Sequence, residues 1–517
     1  MEKRSLPVAL WSSLALIGIS SACYKSAPGI SAGVPPNIIY ILADDLGYGD
    51  LGCFGQLKIE TPHIDALAAG GVVFTQHYTG APVCAPARSV LLTGLHSGKT
   101  QVRGNDEWSE RGNVWNYRTM IADSTLEGQK PLQRGTYTLG SLMKDAGYRT
   151  GLVGKWGLGA PHTESIPNNL GFDYFYGYNC QRQAHTLYPV HLWENKLKIP
   201  LRNDTISPHT RLAAGSDPYD MAAYAPFMLT DYAPDLMFDA LTRFVGDHAH
   251  QPFFLLWATP VPHVPLQAPQ RWIDYYVNKF GEEEPYLGDK NYFPHRYPRA
   301  AYAAMVSHFD EQVGMLISQL KDMGVFDQTL IILTSDNGPT YNGGTDSPWF
   351  NSGGPFRSGY GYGKGFLHEG GIRVPMVASW PDVIAPASVS DHPSVFYDVM
   401  PTLADVAGID VPVDTDGISF LPSLKGVPQT KHAYLYWEFP DNGGQIAVRI
   451  DNYKALLKDI HGGNHVWQLF DLDADLIEAN DIADRHPDVI SRVLNIVQEA
   501  HTPSDNPLWK FQFLDPG

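Results

Sequence analysis

Asn37-Ile38-Ile39-Tyr40-Ile41-Leu42-Ala43-Asp44-Asp45 is the stretch that decides the fold. Its first seven residues are almost all apolar, rich in β-branched and aromatic side chains, and show no alternation. That composition describes a strand covered on both faces, as in a parallel sheet. The run stops on two adjacent carboxylates, and Leu46-Gly47-Tyr48-Gly49-Asp50 then has the composition of a turn. Two acids at the end of a buried strand are costly unless a positive group meets them.

The same pattern recurs along the chain. Tyr148-Arg149-Thr150-Gly151-Leu152-Val153-Gly154 ends on Lys155, and Phe253-Phe254-Leu255-Leu256-Trp257-Ala258 runs into Thr259-Pro260-Val261-Pro262-His263. Leu330-Ile331-Ile332-Leu333-Thr334 ends in Ser335-Asp336-Asn337-Gly338, and Val374–Ala378 is a further apolar run. Between them, helical spacing is predicted over Thr61–Gly71, Thr138–Gly147, 234–249 and Arg299–Met323, the last stopped by Gly324. Apolar strands separated by helices give an α/β fold: a large, mostly parallel sheet flanked by helices. Residues 103–135 show no period and read as a long surface loop, and 161–235 as loop-rich. From about residue 430 short alternating strands (434–439, 447–450, 453–457) and a helix near 486–501 indicate a small α+β subdomain. The expected division is a catalytic domain over 37–429 and a C-terminal antiparallel-sheet and helix subdomain over 430–517.

In open parallel sheets ligands bind at the carboxyl edge, so Asp44/Asp45, Lys155, His263 and Asp336/Asn337 are expected to converge. Asp44, Asp45, Asp336 and Asn337 are oxygen donors, the set a hard cation prefers, Ca²⁺ ahead of Mg²⁺; zinc would recruit more His or Cys. Arg88, Lys155, His263 and Lys364 are cationic or proton-donating groups suited to a tetrahedral oxyanion. A nucleophile candidate stands in Pro82-Val83-Cys84-Ala85-Pro86-Ala87-Arg88, just before an apolar run that reads as a helix start. There the helix dipole and Arg88 would favour a thiolate; otherwise Cys84 is a small buried hydrophobe. Metal, nucleophile and cations together describe sulfuryl or phosphoryl transfer.

Composition sets limits. The 517 residues are 44% hydrophobic, enough for a sizeable core, and the net charge of −18 argues against a nucleic-acid partner. It also means that cations for an anionic substrate must be concentrated at the site. Aromatic residues reach 12%, a richness that suits sugar-binding clefts but that core packing largely explains. Glu2-Lys3-Arg4, the apolar run Leu6–Ile19 and Ser20-Ser21-Ala22-Cys23 read as a secretory signal over residues 1–23, followed by a linker over 24–36. Small residues directly before Cys23 also fit a bacterial lipoprotein site, with a lipid anchor at Cys23. The expected location is across the inner membrane: periplasmic, or lipid-anchored to a bacterial outer membrane. Of four cysteines, at most Cys53 and Cys180 are left to pair if Cys23 and Cys84 are used, so this is not a disulfide scaffold.

Cys84-Ala85-Pro86-Ala87-Arg88 resembles the Cys-x-Pro-x-Arg signature of the type I, formylglycine-dependent sulfatases, arylsulfatase-A-like members of the alkaline phosphatase superfamily. Asp44–Asp50, Gly154-Lys155-Trp156, His263-Val264-Pro265, Ser335–Gly338 and Lys364 with Glu369-Gly370-Gly371-Ile372-Arg373-Val374-Pro375 resemble the family's other motifs, in order. The likeness covers residues 36 to about 480. It implies hydrolysis of sulfate esters, with Cys84 converted to 3-oxoalanine (formylglycine) by a maturation enzyme. One hydroxyl of the hydrated aldehyde would attack sulfur and the other would later expel sulfate. It implies metal ligation by Asp44, Asp45, the modified Cys84, Asp336 and Asn337. Arg88 and Lys155 would stabilise the hydrate, and His263 and Lys364 would grip the sulfate, His263 serving as leaving-group acid.

One departure stands out. The family's usual Gly-Lys-Trp-His-Leu-Gly reads Gly154-Lys155-Trp156-Gly157-Leu158-Gly159 in this chain, so a histidine is missing at Gly157. His185, in Gln181-Arg182-Gln183-Ala184-His185, is the expected replacement, ahead of His162 and His191. The expected substrate is an O-sulfated carbohydrate attacked in exo fashion, of galactose or GalNAc type. His185, His191, Arg357, His368 and Glu369 are candidate sugar contacts. The competing readings are a phosphodiesterase or phosphonate hydrolase of the same superfamily, and a non-catalytic glycan-binding descendant.

Overall fold

The computed structural model describes residues 35–515; the signal-peptide and lipid-anchor expectations, and most of the linker, lie outside them. Eleven strands form the main sheet. They are β1 (Asn37–Ala43), β2 (Val72–Tyr78), β3 (Arg149–Lys155), β4 (Tyr174–Tyr178), β5 (His191–Glu194) and β6 (Leu197–Pro200), then β7 (Phe253–Ala258), β8 (Thr329–Ser335), β9 (Arg373–Ser379), β10 (Ser388–Ser390) and β11 (Ser394–Val395). Their order is β10-β2-β9-β8-β1-β7-β3-β4-β5-β6, with β11 also on β2. The central block β8-β1-β7-β3-β4 is parallel throughout. β9 runs antiparallel to both β8 and β2, and β5 and β6 turn back at the far edge. Every residue of β1, β7 and β8 is buried, as their unbroken apolar runs require. Helices pack on both faces, among them Ala233–His248 and Pro298–Asp322, and two large apolar clusters fill the space between. This is the mixed α/β architecture expected from the sequence.

The region 161–235 is not only loop, since β4, β5 and β6 extend the sheet there. Glycine concealed β4. Gly177 pairs with Gly154 of β3, and a Cβ on Gly154 would lie 1.8 Å from the carbonyl oxygen of Ala258. The strands approach too closely for side chains at that level, and glycine breaks the apolar run by which a strand is recognised. Within 103–135 a short helix, Tyr117–Ala122, is capped by the Asn116 side chain accepting from the Thr119 N–H.

A second, four-stranded antiparallel sheet (Leu435–Phe439, Gln445–Ile450, Tyr453–Leu457, Gln468–Asp471) carries the helix Pro487–Ala500 on one face through Val489, Val493 and Val497. Buried polar links tie it to the first sheet. Trp437 Nε1 donates to the Thr79 carbonyl, Arg103 pairs with Glu438 at 3.1 Å, and Lys454 with Glu369 at 2.9 Å. Cys53 and Cys180, the one pair the sequence left open, are both free thiols, Cys180 packed against Met120. Among the described residues no helix is long and apolar enough to cross a membrane.

Candidate active site

Because β1, β3, β7 and β8 run parallel, their carboxyl ends deliver Asp44, Asp45, Lys155, His263, Asp336 and Asn337 to one edge. The helix Cys84–Thr93 is buried along its whole length and begins at the nucleophile candidate, so its amino end faces the same place. Cys84 Sγ donates to Asp44 Oδ1 at 3.1 Å and accepts from Lys364 Nζ at 3.6 Å. Three carboxylates meet three cations: Lys155 pairs with Asp44 at 2.5 Å, Lys364 with Asp45 at 2.6 Å, and Arg88 with Asp336 at 2.8 Å. Arg88 also donates to the Lys155 carbonyl at 2.7 Å, bracing two strand ends at once. Three cations are concentrated here in a chain whose net charge is −18.

Local backbone serves this convergence. Asp45 sits in the left-handed region (φ 67), which turns its carboxylate back toward the cluster; aspartate tolerates that conformation better than most residues. Its Oδ1 accepts from Asn337 Nδ2 at 2.7 Å. Burial raises the Asp44 carboxyl, but Lys155, His263, Arg88 and Lys364 outweigh it and hold the group well below the usual carboxylate range. Asp336 goes the other way: burial, with Asp44 beside it, pushes it up to about 6 against the pull of Arg88 and Lys155. Burial, then Asp336 and Asp44, push the Cys84 thiol well above its ordinary value. That corrects the thiolate reading. The helix start is where it was expected, but the carboxylates override the dipole, and an unmodified Cys84 is a neutral thiol.

The donor set fits a hard divalent cation. Donor atoms of Asp44, Asp45, Cys84 and His263 lie within 4.8 Å of one another, and Asp45 Oδ2 and Asn337 Oδ1 are buried without a hydrogen-bond partner. The oxygens of Asp44, Asp45, Asp336 and Asn337 would hold the ion; His263 borders them, its Nδ1 engaged with the Val264 carbonyl at 2.5 Å. Among the described residues this is the single converging ligand group, so a two-metal phosphoryl-transfer site lacks its second set.

His185 stacks on His263 (centroids 5.4 Å, planes 9° apart), and Tyr292 presents its ring edge-on to both, at 5.2 and 5.7 Å. Burial and nearby cations, Lys364 among them, hold both imidazoles well below their ordinary range, hence neutral. Sequence reasoning missed Tyr292. Its signal is conformational: Asn291 and Tyr292 are consecutive left-handed residues (φ 65 and 62), pinned by Tyr286, whose hydroxyl accepts from the Lys290 N–H and donates to the Asn291 carbonyl.

The space beside Gly157 holds Gln181, whose Oε1 would lie 3.0 Å from a Cβ there; His185 stands one turn further along the same segment. Five other candidates have surroundings of their own. His162 is exposed, at 3.0 Å from the Ser124 hydroxyl. His191 is corrected to an internal group, 2% exposed and paired with Glu127 at 2.9 Å. Glu369 is fully buried between Lys454, Arg373 and the Tyr78 hydroxyl, a structural anchor rather than a sugar contact. His368 is 2% exposed and packs on Tyr362 at 4.6 Å. Arg357 also packs on Tyr362: its guanidinium covers the ring at 4.7 Å and donates to the hydroxyl at 2.7 Å.

A family model described as Sulfatase matches residues 36–409. The chain belongs to the sulfatase family. A second model, for the C-terminal part of N-sulphoglucosamine sulphohydrolase, matches residues 358–500. Human arylsulfatase A is 32% identical over 447 residues, 83% of this chain and 76% of that protein. N-acetylgalactosamine-6-sulfatase from Canis lupus familiaris is 30% identical, over 87% of this chain and 76% of its own length. Among solved structures, Ps i-CgsB in complex with k-i-k-neocarrahexaose superimposes with a TM-score of 0.68 at 27% identity, covering 90% of this chain and 92% of that one. This sulfatase is therefore a sulfuric ester hydrolase of type I, and the family implies a formylglycine and a divalent metal.

Proposed function

We propose that this sulfatase hydrolyses O-sulfated carbohydrate, in exo fashion and on galactose- or GalNAc-type sugars, using formylglycine made from Cys84 and one Ca²⁺. The observation that carries the reading is the setting of Cys84: buried, a poor thiolate, yet touching Asp44 and Lys364 at the amino end of a buried helix. A thiol so placed is ill suited to work as a thiol and well suited to be a precursor. Bound there, the cation and the hydrated aldehyde would supply charge neutralisation and an oxygen nucleophile. Lys155 and Lys364 hold the anionic oxygens of the ester, and Arg88 fixes Asp336 and the end of β3. His263 is the leaving-group acid, the sulfate's negative charge favouring its protonated form, and His185 supports it from the stack. The substrate class is supported by the GalNAc-6-sulfatase and neocarrahexaose-binding relatives.

Peptide mass spectrometry of protein made alongside a maturation enzyme tests this. The Cys84 peptide should show the thiol replaced by an aldehyde, and activity should track the converted fraction. Full activity with an intact thiol would sink the mechanism. Sulfate release from position-defined sulfated monosaccharides assigns the sugar. Export to the periplasm, with or without a lipid on Cys23, is part of the same proposal, resting on the Leu6–Cys23 segment; cell fractionation with labelled fatty acid decides it.

A further inference from the structure

Ser358-Gly359-Tyr360-Gly361-Tyr362-Gly363-Lys364-Gly365 alternates glycine with aromatic residues and ends at the lysine on the nucleophile. Sulfate chemistry uses Lys364 and leaves the rest unexplained. The two tyrosines part: Tyr362 turns inward onto His368 and Arg357, whereas Tyr360 turns outward and is 79% exposed. There it meets Phe366 and Tyr341, each with ring centroids at 5.4 Å, and Tyr341 lies 6.4 Å from Phe366. Tyr341 comes from the loop after β8, four residues past Asn337. Three rings from two loops thus stand beside the active site.

The loop is held in place. Lys364 N–H donates to the Pro339 carbonyl and Gly365 N–H to that of Pro82, while the Gly365 carbonyl accepts from Asn442 and Gln445 of the C-terminal part. A lone exposed ring is ordinary, but Tyr360 is not alone: with Tyr341 and Phe366 it makes a cluster of aromatic rings at the surface, and clustering is what marks a binding face. From Tyr341 a groove of about 400 Å³ continues past Tyr286 and Thr345, within the ~300–1,000 Å³ range of small-ligand pockets. Its charges are Glu283, Glu284, Asp289 and Asp346 against Lys290 and Arg299, unfavourable for a second sulfate.

We propose that Tyr341, Tyr360 and Phe366 form a stacking subsite for an uncharged sugar joined to the sulfated one, so that sulfated oligosaccharides are preferred over the free sulfated monosaccharide. The apolar C–H face of a pyranose packs on aromatic rings, and the tyrosine hydroxyls remain free for its hydroxyl groups. This rests on the carbohydrate reading above. The test compares kcat/KM for an aryl sulfate, a sulfated monosaccharide and an oligosaccharide ending in that same sugar, using wild type, the Tyr341→Ala/Tyr360→Ala double variant and Tyr360→Phe. Expected are a wild-type preference for the oligosaccharide and about a tenfold fall in its oligosaccharide-to-monosaccharide ratio in the double variant, with Tyr360→Phe keeping most of it. A wild type indifferent to chain length, or a double variant with an unchanged ratio, overturns the subsite alone. Turnover of the aryl sulfate with every sulfated sugar refused overturns the substrate reading and the subsite with it.

Discussion

At the scale of single residues, two stacked imidazoles carry different expected loads. His263 has its Nδ1 committed to the Val264 carbonyl and its Nε2 3.8 Å from Asp45 Oδ2, so Nε2 is the atom that faces the reacting oxygens. His185 touches His263 and Tyr292 through ring faces and edges. An acid that protonates the departing oxygen contributes roughly 10²–10⁴-fold, but only where the leaving group is basic enough to need the proton. His263→Ala should therefore cut turnover of a sulfated sugar by at least about a hundredfold and that of an aryl sulfate, whose phenolate leaves unaided, by much less. Equal losses on both would remove the acid role. His185→Ala should shift KM for the sugar more than kcat, by about tenfold, if it positions the substrate and its partner ring; kinetics like those of wild type would dismiss it. The missing histidine at Gly157 was legible because a motif exposed the gap. Gln181 as its neighbour was not, because 24 residues separate the two and only the pairing of β3 with β4 brings them together.

At the scale of elements, the strands that carry the chemistry were legible and those that widen the sheet were not. β1, β7 and β8 are buried on both faces and therefore written as largely apolar runs that lead into polar groups, whereas β3, with Arg149 exposed and two glycines inside, was marked by the lysine at its end. β4, β5 and β6 are only four or five residues long and are interrupted by glycine or charge, too short to show a period. The motif that includes Glu369 was legible too, but its meaning was not. Glu369 looked like a sugar contact and is an anchor for the segment after Lys364, sharing Lys454 with Glu478, which lies 2.9 Å from the ammonium and also accepts the Glu369 N–H. Burial, with Lys454 pulling against it and Glu369 reinforcing it, pushes Glu478 up to about 7, while Glu369 is held down at about 2 despite its burial by Lys454, Arg373 and Arg449. Between the ordinary glutamate value, about 4.5, and about 7 the folded protein keeps a proton on Glu478 that the unfolded chain releases. That stabilisation is complete below the lower value and is lost as pH rises through the upper one. Glu478→Gln, neutral at every pH, should gain stability relative to wild type across this window, by on the order of 2 kcal/mol. Urea unfolding at pH 5 and pH 7 measures it; a constant difference between the two proteins would show that Glu478 is already ionised in the fold.

At the scale of the whole molecule, the site is a clasp between parts of the chain that are distant in sequence. The Asp45 N–H donates to Asp336 Oδ1 across 291 positions, and Cys84 joins them from a separate helix. Three buried carboxylates are already balanced by Arg88, Lys155 and Lys364, so the fold does not depend on a metal to neutralise them. A cation that binds the folded clasp and not the unfolded chain then adds stability as its concentration rises, about 2.7 kcal/mol at a hundredfold excess over its Kd. Chelator-treated protein should accordingly keep its secondary structure but melt at a lower temperature, and Ca²⁺ should raise Tm progressively. Mg²⁺ should raise it less at equal concentration, because it sheds water reluctantly and demands near-octahedral geometry. Asn337→Ala removes a buried oxygen that has no partner within the protein, so it should abolish most of the Ca²⁺-dependent increment; it also removes the Nδ2 bond to Asp45, so that increment is read against the variant's own metal-free melting temperature. Calorimetry separates the two contributions without any assay of turnover. A melting temperature indifferent to millimolar Ca²⁺ in protein whose Cys84 is shown to be converted would mean that these oxygens close on their own lysines and arginine, and that the clasp holds no such ion.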